Sequence, residues 1–335
     1  MRLVGHSVSW GLHSVFVVGM SASVLSWLGR QGTRAVAALV VVGIGLPSVG
    51  SMLKPYVTPA IFLLLCIAFL RMDIRASRAY VRRPGIALAA TAWTALGIPI
   101  LVGVAGLASG LSRRAPDLFL ALMLQAIASP MMAAPALAAL MGLDATLVLV
   151  TLMTSTAMLP LTAPVLAVVF VGPNFPISPP GLAAKLLAIL AGAALIGLVA
   201  RRVVGLAVIT RQKERIDGLN VLILFVFVAA IMERVGAHFL ASPMKTIVLT
   251  ALAFLVFFAI LLLTALLFLC AGRERAVALG FMASQRNLGL MLAGTGGALP
   301  DLVWLYFALS QFPIYLSPQL LQPVTRRLLG RTTRA

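Results

Sequence analysis

The chain alternates long apolar runs with short polar breaks, and the length of the runs decides its class. Segments of about the twenty residues a helix needs to cross a bilayer fall at 35–53, 56–72, 85–108, 117–140, 145–170, 181–200, 218–236, 246–270, 276–298 and 302–322. They lack the polar–apolar alternation of outer-membrane strands, and hydrocarbon requires every backbone polar group to be satisfied inside its own segment. The pattern therefore predicts an all-α polytopic membrane protein with ten transmembrane helices. An eleventh, weaker apolar stretch at 8–29, VSWGLHSVFVVGMSASVLSWLG, is rich in Ser and Gly. A cleaved signal peptide is one reading of it, but no clear small-residue cleavage site follows; an uncleaved extra N-terminal helix on or partly in the membrane is favoured. The resulting organisation is an N-terminal segment (1–34), a first set of five spans (35–175), and a second set with a basic tail (176–335).

Composition agrees with this pattern and charge orients it. Of the 335 residues, 61% are hydrophobic and only 10% charged, and the mean hydropathy is +1.09, a balance that excludes a soluble fold. Basic residues gather after the even-numbered spans: Arg71, Arg75, Arg78, Arg82 and Arg83; Arg201, Arg202, Arg211, Lys213 and Arg215; Arg273 and Arg275; and a tail with Arg326, Arg327, Arg331 and Arg334. The opposite loops carry little, namely Lys54, Arg113, Arg114, Arg234 and Lys245, and the connector VGPNFPISPPG (171–181) carries none. By the positive-inside rule the tail is cytoplasmic and the protein is a multi-pass inner-membrane type. The same rule accounts for the net charge of +18 without a nucleic-acid partner, since the cations are not interleaved with aromatics on one face. Cys66 and Cys270 are far apart and give neither a disulfide framework nor a metal site.

An internal repeat points to the chemistry. Residues 125–166 read QAIASPMMAAPALAALMGLDATLVLVTLMTSTAMLPLTAPVL, and residues 280–321 read GFMASQRNLGLMLAGTGGALPDLVWLYFALSQFPIYLSPQLL. In each, a helix interrupted near its middle precedes a turn with an acid (Asp144, Asp301) and a helix ending in two prolines, Pro160 and Pro164 or Pro313 and Pro318. Five spans per half is an odd number, so the copies face opposite ways: an inverted repeat. The first interruption is made by Pro130 and Pro135, which remove backbone donors; the second, in SQRNLGLML, by Arg286, Asn287 and Gly289. Matched midplane breaks are a sequence pointer to a transport site.

On these residues the chain resembles the bile acid:sodium symporter family. The run from Ser129 to Pro164, with its proline-broken helix, GLD turn and T-x-x-T-S-T-x-x-L-P pattern, is similar to that family's fourth and fifth helices, and RNLGL (286–290) to its ninth-helix signature. The resemblance covers about residues 35 to 325. It implies a fold shared with certain sodium/proton antiporters, in which helices one, two, six and seven form a panel, the other six form a core, and broken helices four and nine cross. It also implies substrate between core and panel, and alternating access by their relative movement. At the positions that hold sodium in coupled members this chain has Ala134 to Ala136, Val148, Leu152, Met282 and Arg286. Sodium coupling is therefore disfavoured, and a sodium-dependent symporter using backbone and hydroxyl ligands stays as the alternative.

Arg286 keeps its proton at any accessible pH, and a charge at midplane costs at least about 2.5–3.5 kcal/mol on insertion scales. No acid is expected beside it. In one reading it neutralises the negative C-terminal ends of the broken half-helices; in the other it faces the cavity and binds an anionic substrate group through its planar donors. Gln285 and Asn287 would add neutral hydrogen bonds in either case. Thr151, Thr154 and Ser155 share one helical face, Thr94 lies five residues before Pro99, and Gln311 mirrors the Ser155 region; they either line the crossing or bond back to their own helices. The expected function is secondary transport of a small organic anion, with no cofactor and with sodium coupling left open. An integral-membrane enzyme is the alternative of another class, although His, Asp or Glu clusters at a common depth are missing from the pattern.

Overall fold

The computed structural model describes residues 23–28, 30, 45, 47–71 and 84–328, and in them the only pairing outside helices is a single isolated bridge. The basic loop with Arg75 to Arg83, the last seven residues, and most of 8–29 and 35–46 lie outside the described residues; of the eleventh stretch, 23–28 is helical. Eleven principal helices follow in order: α1 (Pro47–Arg71), α2 (Gly85–Ala108), α3 (Pro116–Ile127), α4 (Ala134–Leu140), α5 (Ala145–Phe170), α6 (Pro179–Val204), α7 (Lys213–Ala241), α8 (Pro243–Leu267), α9 (Arg273–Ser284), α10 (Leu288–Thr295) and α11 (Asp301–Leu328). Six of them, α1, α2, α5, α6, α7 and α8, are long and apolar enough to cross a membrane.

The boundaries follow local chemistry. Gly142 adopts φ 72° and closes α4, with the Leu143 N–H donating to the Ala138 carbonyl at 2.9 Å. Two residues later Asp144 caps α5 by accepting from the Leu147 N–H at 2.9 Å. Gly296, φ 63°, ends α10 in the same way. The stretches 117–140 and 276–298 are split as the breaks predicted, into α3 and α4 and into α9 and α10.

The prolines behave differently from the expectation that they end their helices. Pro160 and Pro164 lie inside α5, which runs on to Phe170, and Pro313 and Pro318 lie inside α11, which runs on to Leu328. A missing donor at one position bends a helix without stopping it when a neighbouring group satisfies the freed carbonyl. Of the two N-terminal spans the described parts, Pro47–Leu53 and Val57–Arg71, are helical and are joined in α1 by a 3-10 turn at Lys54–Tyr56. A Cβ on Gly50 would lie 2.5 Å from the Ala229 carbonyl oxygen, Lys54 pairs with Glu233 at 3.5 Å, and Arg71 pairs with Asp217. Both arms of α1 therefore lie along α7.

The helices sort into two groups. α6 and α7 each pack on α1, α6 closely enough that a Cβ on Gly197 would come 2.8 Å from the Cys66 carbonyl oxygen. α2 to α5 and α8 to α11 gather around the short helices, of which α9 from Ala278 to Ser284 and all of α10 are buried. The backbones of α8 and α9 approach to the limit: a Cβ on Gly280 would meet the Leu261 carbonyl oxygen at 2.5 Å. Gly280→Val should therefore push these helices apart and cost about 1–3 kcal/mol, read as a lower melting temperature in detergent. Gly85→Ala, where a Cβ meets nothing within 4 Å, should not lower it.

Candidate functional site

The two broken helices meet backbone to backbone. Pro130 and Arg286 form an isolated antiparallel bridge, flanked by hydrogen bonds from the Met131 N–H to the Gln285 carbonyl at 2.6 Å and from the Asn287 N–H to the Ser129 carbonyl at 2.8 Å. In this arrangement the facing pair exchanges no hydrogen bonds of its own; its neighbours do. Pro130, which has no N–H, thus occupies a position in the bridge that needs no donor. Pro135 sits in the first turn of α4, where its missing N–H would be unpaired in any case.

Arg286 is 1% exposed. Its Nη1 donates to the Ala128 carbonyl at 2.7 Å and to the Thr94 carbonyl at 3.4 Å. Both acceptors have lost their helical donors. Ala128 is the C-terminal cap of α3. Thr94 lies in a π-helical turn, Trp93–Gly97, in which the Ile98 N–H reaches back to Trp93; the donor due to Thr94 in that register is Pro99, which has none. The guanidinium therefore meets the negative end of a half-helix, and its Nε and Nη2 are buried without a partner.

The same logic places Gln285. Pro318 deprives the Ile314 carbonyl of its donor, and Gln285 Nε2 supplies one at 3.3 Å, together with the Ser317 hydroxyl at 3.0 Å. Gln285 Nε2 also donates to Ser317 Oγ at 2.6 Å, so the crossing is tied to α11. Asn287 caps α10 by accepting from the Leu290 N–H at 3.0 Å.

Between the two groups of helices lies a cavity of about 570 Å³. Of the residues singled out in the sequence, Arg286, Asn287, Pro135 and Gln311 line it. Ser129, Pro130, Gln285 and Thr94 stand at the crossing behind its wall. Thr154 and Ser155 do not join them: Thr154 Oγ1 bonds Val150 O at 2.9 Å and meets Thr91 Oγ1 at 2.5 Å, and Ser155 Oγ bonds Thr151 O at 2.6 Å. Gln311 Nε2 likewise bonds back to Phe307 O at 3.0 Å. The hydroxyls of Thr94, Ser129 and Thr151 are buried without partners, as is Gln285 Oε1.

The cavity has a direction. Its lining includes Arg71, Asn220, Thr146 and Pro318, all toward the face with the basic loops, where Arg275 pairs with Asp144 at 3.8 Å. At the opposite face the groups are in contact: Arg234 of α7 pairs with Asp301 of α11 at 3.2 Å, and Lys54 of α1 lies 5.6 Å from the Trp304 ring centre. Sequence reasoning missed Arg71, Asn220 and Tyr315 as lining residues, and the Tyr306 hydroxyl donating to Gln125 Oε1 at 2.6 Å. Ser317 was within reach, since a hydroxyl next to Pro318 is placed to serve the carbonyl that proline frees.

The positions that would hold sodium by resemblance do not fit the ion. Ala134, Val148 and Met282 are fully buried and carry no side-chain oxygen, Leu152 turns an apolar side chain to the cavity, and Arg286 adds a fixed positive charge. Among the described residues no three His, Cys, Asp or Glu side chains form a metal-holding group. Comparison with known protein families and with curated proteins finds no match for the chain.

The role assigned to Gln285 predicts a coupling. Gln285→Leu leaves the buried Ile314 carbonyl with the Ser317 hydroxyl as its one donor and should cost about 1–3 kcal/mol, seen as a fall in melting temperature. In a Pro318→Ala background, where the helix donor is restored, the same substitution should cost clearly less. Equal losses in both backgrounds would refute the assignment.

Proposed function

We propose that the chain is a secondary transporter for a small organic anion, working by alternating access between a panel (α1, α6, α7) and a core (α2 to α5 and α8 to α11). The reading includes ten spans as two inverted five-helix repeats, the first two being 35–53 and 56–72, with the residues of α1 before its 3-10 turn ending the first and those after it forming the second. The observation that carries it is the cavity of about 570 Å³ between the two groups, with two broken helices meeting at its inner wall. Irregular backbone at membrane depth is tolerated only where it is enclosed by protein or lines a cavity, and transporters place their sites at such breaks.

An anion is favoured by the charges at hand. Arg286 stands in the inner wall, Arg71, paired with Asp217, at the end nearest the basic loops, and among the described residues no carboxylate lines the cavity. The remaining lining is mainly apolar, from Ile61, Leu65 and Leu224 of the panel to Met131 and Ile314 of the core, so the substrate joins an apolar body to one anionic group. By the positive-inside rule the cavity faces the cytoplasm. The likeness to bile acid:sodium symporters supports the same class, while the apolar residues at the ion positions support a mechanism without strict sodium coupling.

A sodium-dependent mechanism is the second reading, and the unpartnered oxygens of Thr94, Ser129, Thr151 and Gln285 favour it. Uptake of labelled organic anions into proteoliposomes separates the two. With sodium replaced by choline, uptake should persist; a strict sodium requirement would establish the second reading. Arg286→Met should lower uptake by about tenfold or more, as loss of a charge-assisted contact implies. Full uptake by a folded Arg286→Met protein would sink the assignment of the anion to this side chain.

A further inference from the structure

The distribution of contacts between the two groups of helices is lopsided. Among the described residues four ion pairs stay within a group or its flank: Lys54–Glu233 and Arg71–Asp217 in the panel, Arg30–Glu214 beside it, and Arg275–Asp144 in the core. Arg234–Asp301 crosses from panel to core, and it does so on the face away from the cavity mouth. Two more panel cations reach the core on that face. Lys54 lies over the Trp304 ring, and Lys185 Nζ lies 2.8 Å from where a Cβ on Gly296, the C-terminal cap of α10, would stand. Each cation meets a group that attracts it: a carboxylate, the face of an indole, the negative end of a helix.

We propose that Lys54, Lys185 and Arg234 form a cationic latch that holds panel to core and keeps that side of the pathway shut. The proposal rests on the alternating-access reading and adds to it the device that sets which side is open. Arg234 and Asp301 have side chains 55% and 76% exposed, so each contact is weak and screened by salt. Weakness suits a latch that must release, because the conformers of such a protein lie close in free energy and small biases set their populations. Under the latch is a pocket of only about 30 Å³, bordered by Lys54, Ile231, Arg234, Asp301 and Trp304. Ile231 is 5% exposed, so a thiol at this position reports opening.

The test uses Ile231→Cys in a chain carrying Cys66→Ser and Cys270→Ser, reconstituted in liposomes and labelled from the latch face with a membrane-impermeant maleimide. Labelling should be slow in that chain and about tenfold faster with Asp301→Arg. It should slow again in the charge swap Arg234→Asp with Asp301→Arg. A swap that stays fast overturns the pairing. Should the Asp301→Arg chain fail to fold, raising potassium chloride from about 50 mM to about 1 M on the reporter chain alone must accelerate labelling; a rate indifferent to salt and to Asp301→Arg overturns the latch. No substrate is needed, so a chain that labels as stated but takes up no anion refutes the carrier reading and leaves the latch standing.

Discussion

Two backbone hydrogen bonds allow two helices to stop half-way through an apolar protein: Asn287 N–H to Ser129 O and Met131 N–H to Gln285 O. A helix end surrounded by hydrocarbon leaves up to four donors or acceptors unpaired, each costing several kcal/mol. Here the two ends settle part of each other's deficit, and side chains settle more: Asn287 caps α10, Arg286 serves the end of α3, and Gln285 serves the Ile314 carbonyl. Moving either break by one residue would place the bridging N–H groups on the wrong side of the strand-like segment. The position of the breaks is thus fixed jointly by both halves of the chain.

Missing donors explain a second set of features. Pro99, Pro130, Pro135 and Pro318 all lack an N–H, yet their consequences differ with position. Pro130 faces Arg286 where no donor is required, Pro135 starts a helix, and Pro99 and Pro318 each leave a carbonyl that a polar side chain from the crossing collects. Proline in this chain serves less to end helices than to present carbonyls to Arg286 and Gln285. Both residues come from the same tripeptide, Gln285 to Asn287.

The apolar helical character, the two breaks, the acids Asp144 and Asp301 at the starts of α5 and α11, and the unusual standing of Arg286 were legible because each depends on near neighbours in sequence. The partners of Arg286 were not, since the Thr94 carbonyl is released by a π turn that only the packing of α2 reveals. Thr154 and Ser155 looked equivalent to Thr151 by helical spacing, but which hydroxyl bonds back to its own helix depends on local space, and Thr154 is further occupied by Thr91 across the helix interface. Arg71 and Asn220 escaped notice because a cavity between helices distant in sequence leaves no periodic trace.

The polar bonds have a mechanical corollary. Arg286 joins α9 to both α3 and α2, Gln285 joins it to α11, and Tyr306 joins α11 to α3; these bonds are buried, where breaking one strands its partner at high cost. The contacts of the same region with the panel are of another kind. Gly289 packs on Ile61 and Phe227, and Gly294 on Leu186, surfaces that slide past one another without losing a hydrogen bond. In the proposed carrier, then, movement at the depth of the crossing costs least along the panel and most within the core. On that reading the core moves as a body, and Arg286 travels with it as a permanent positive charge.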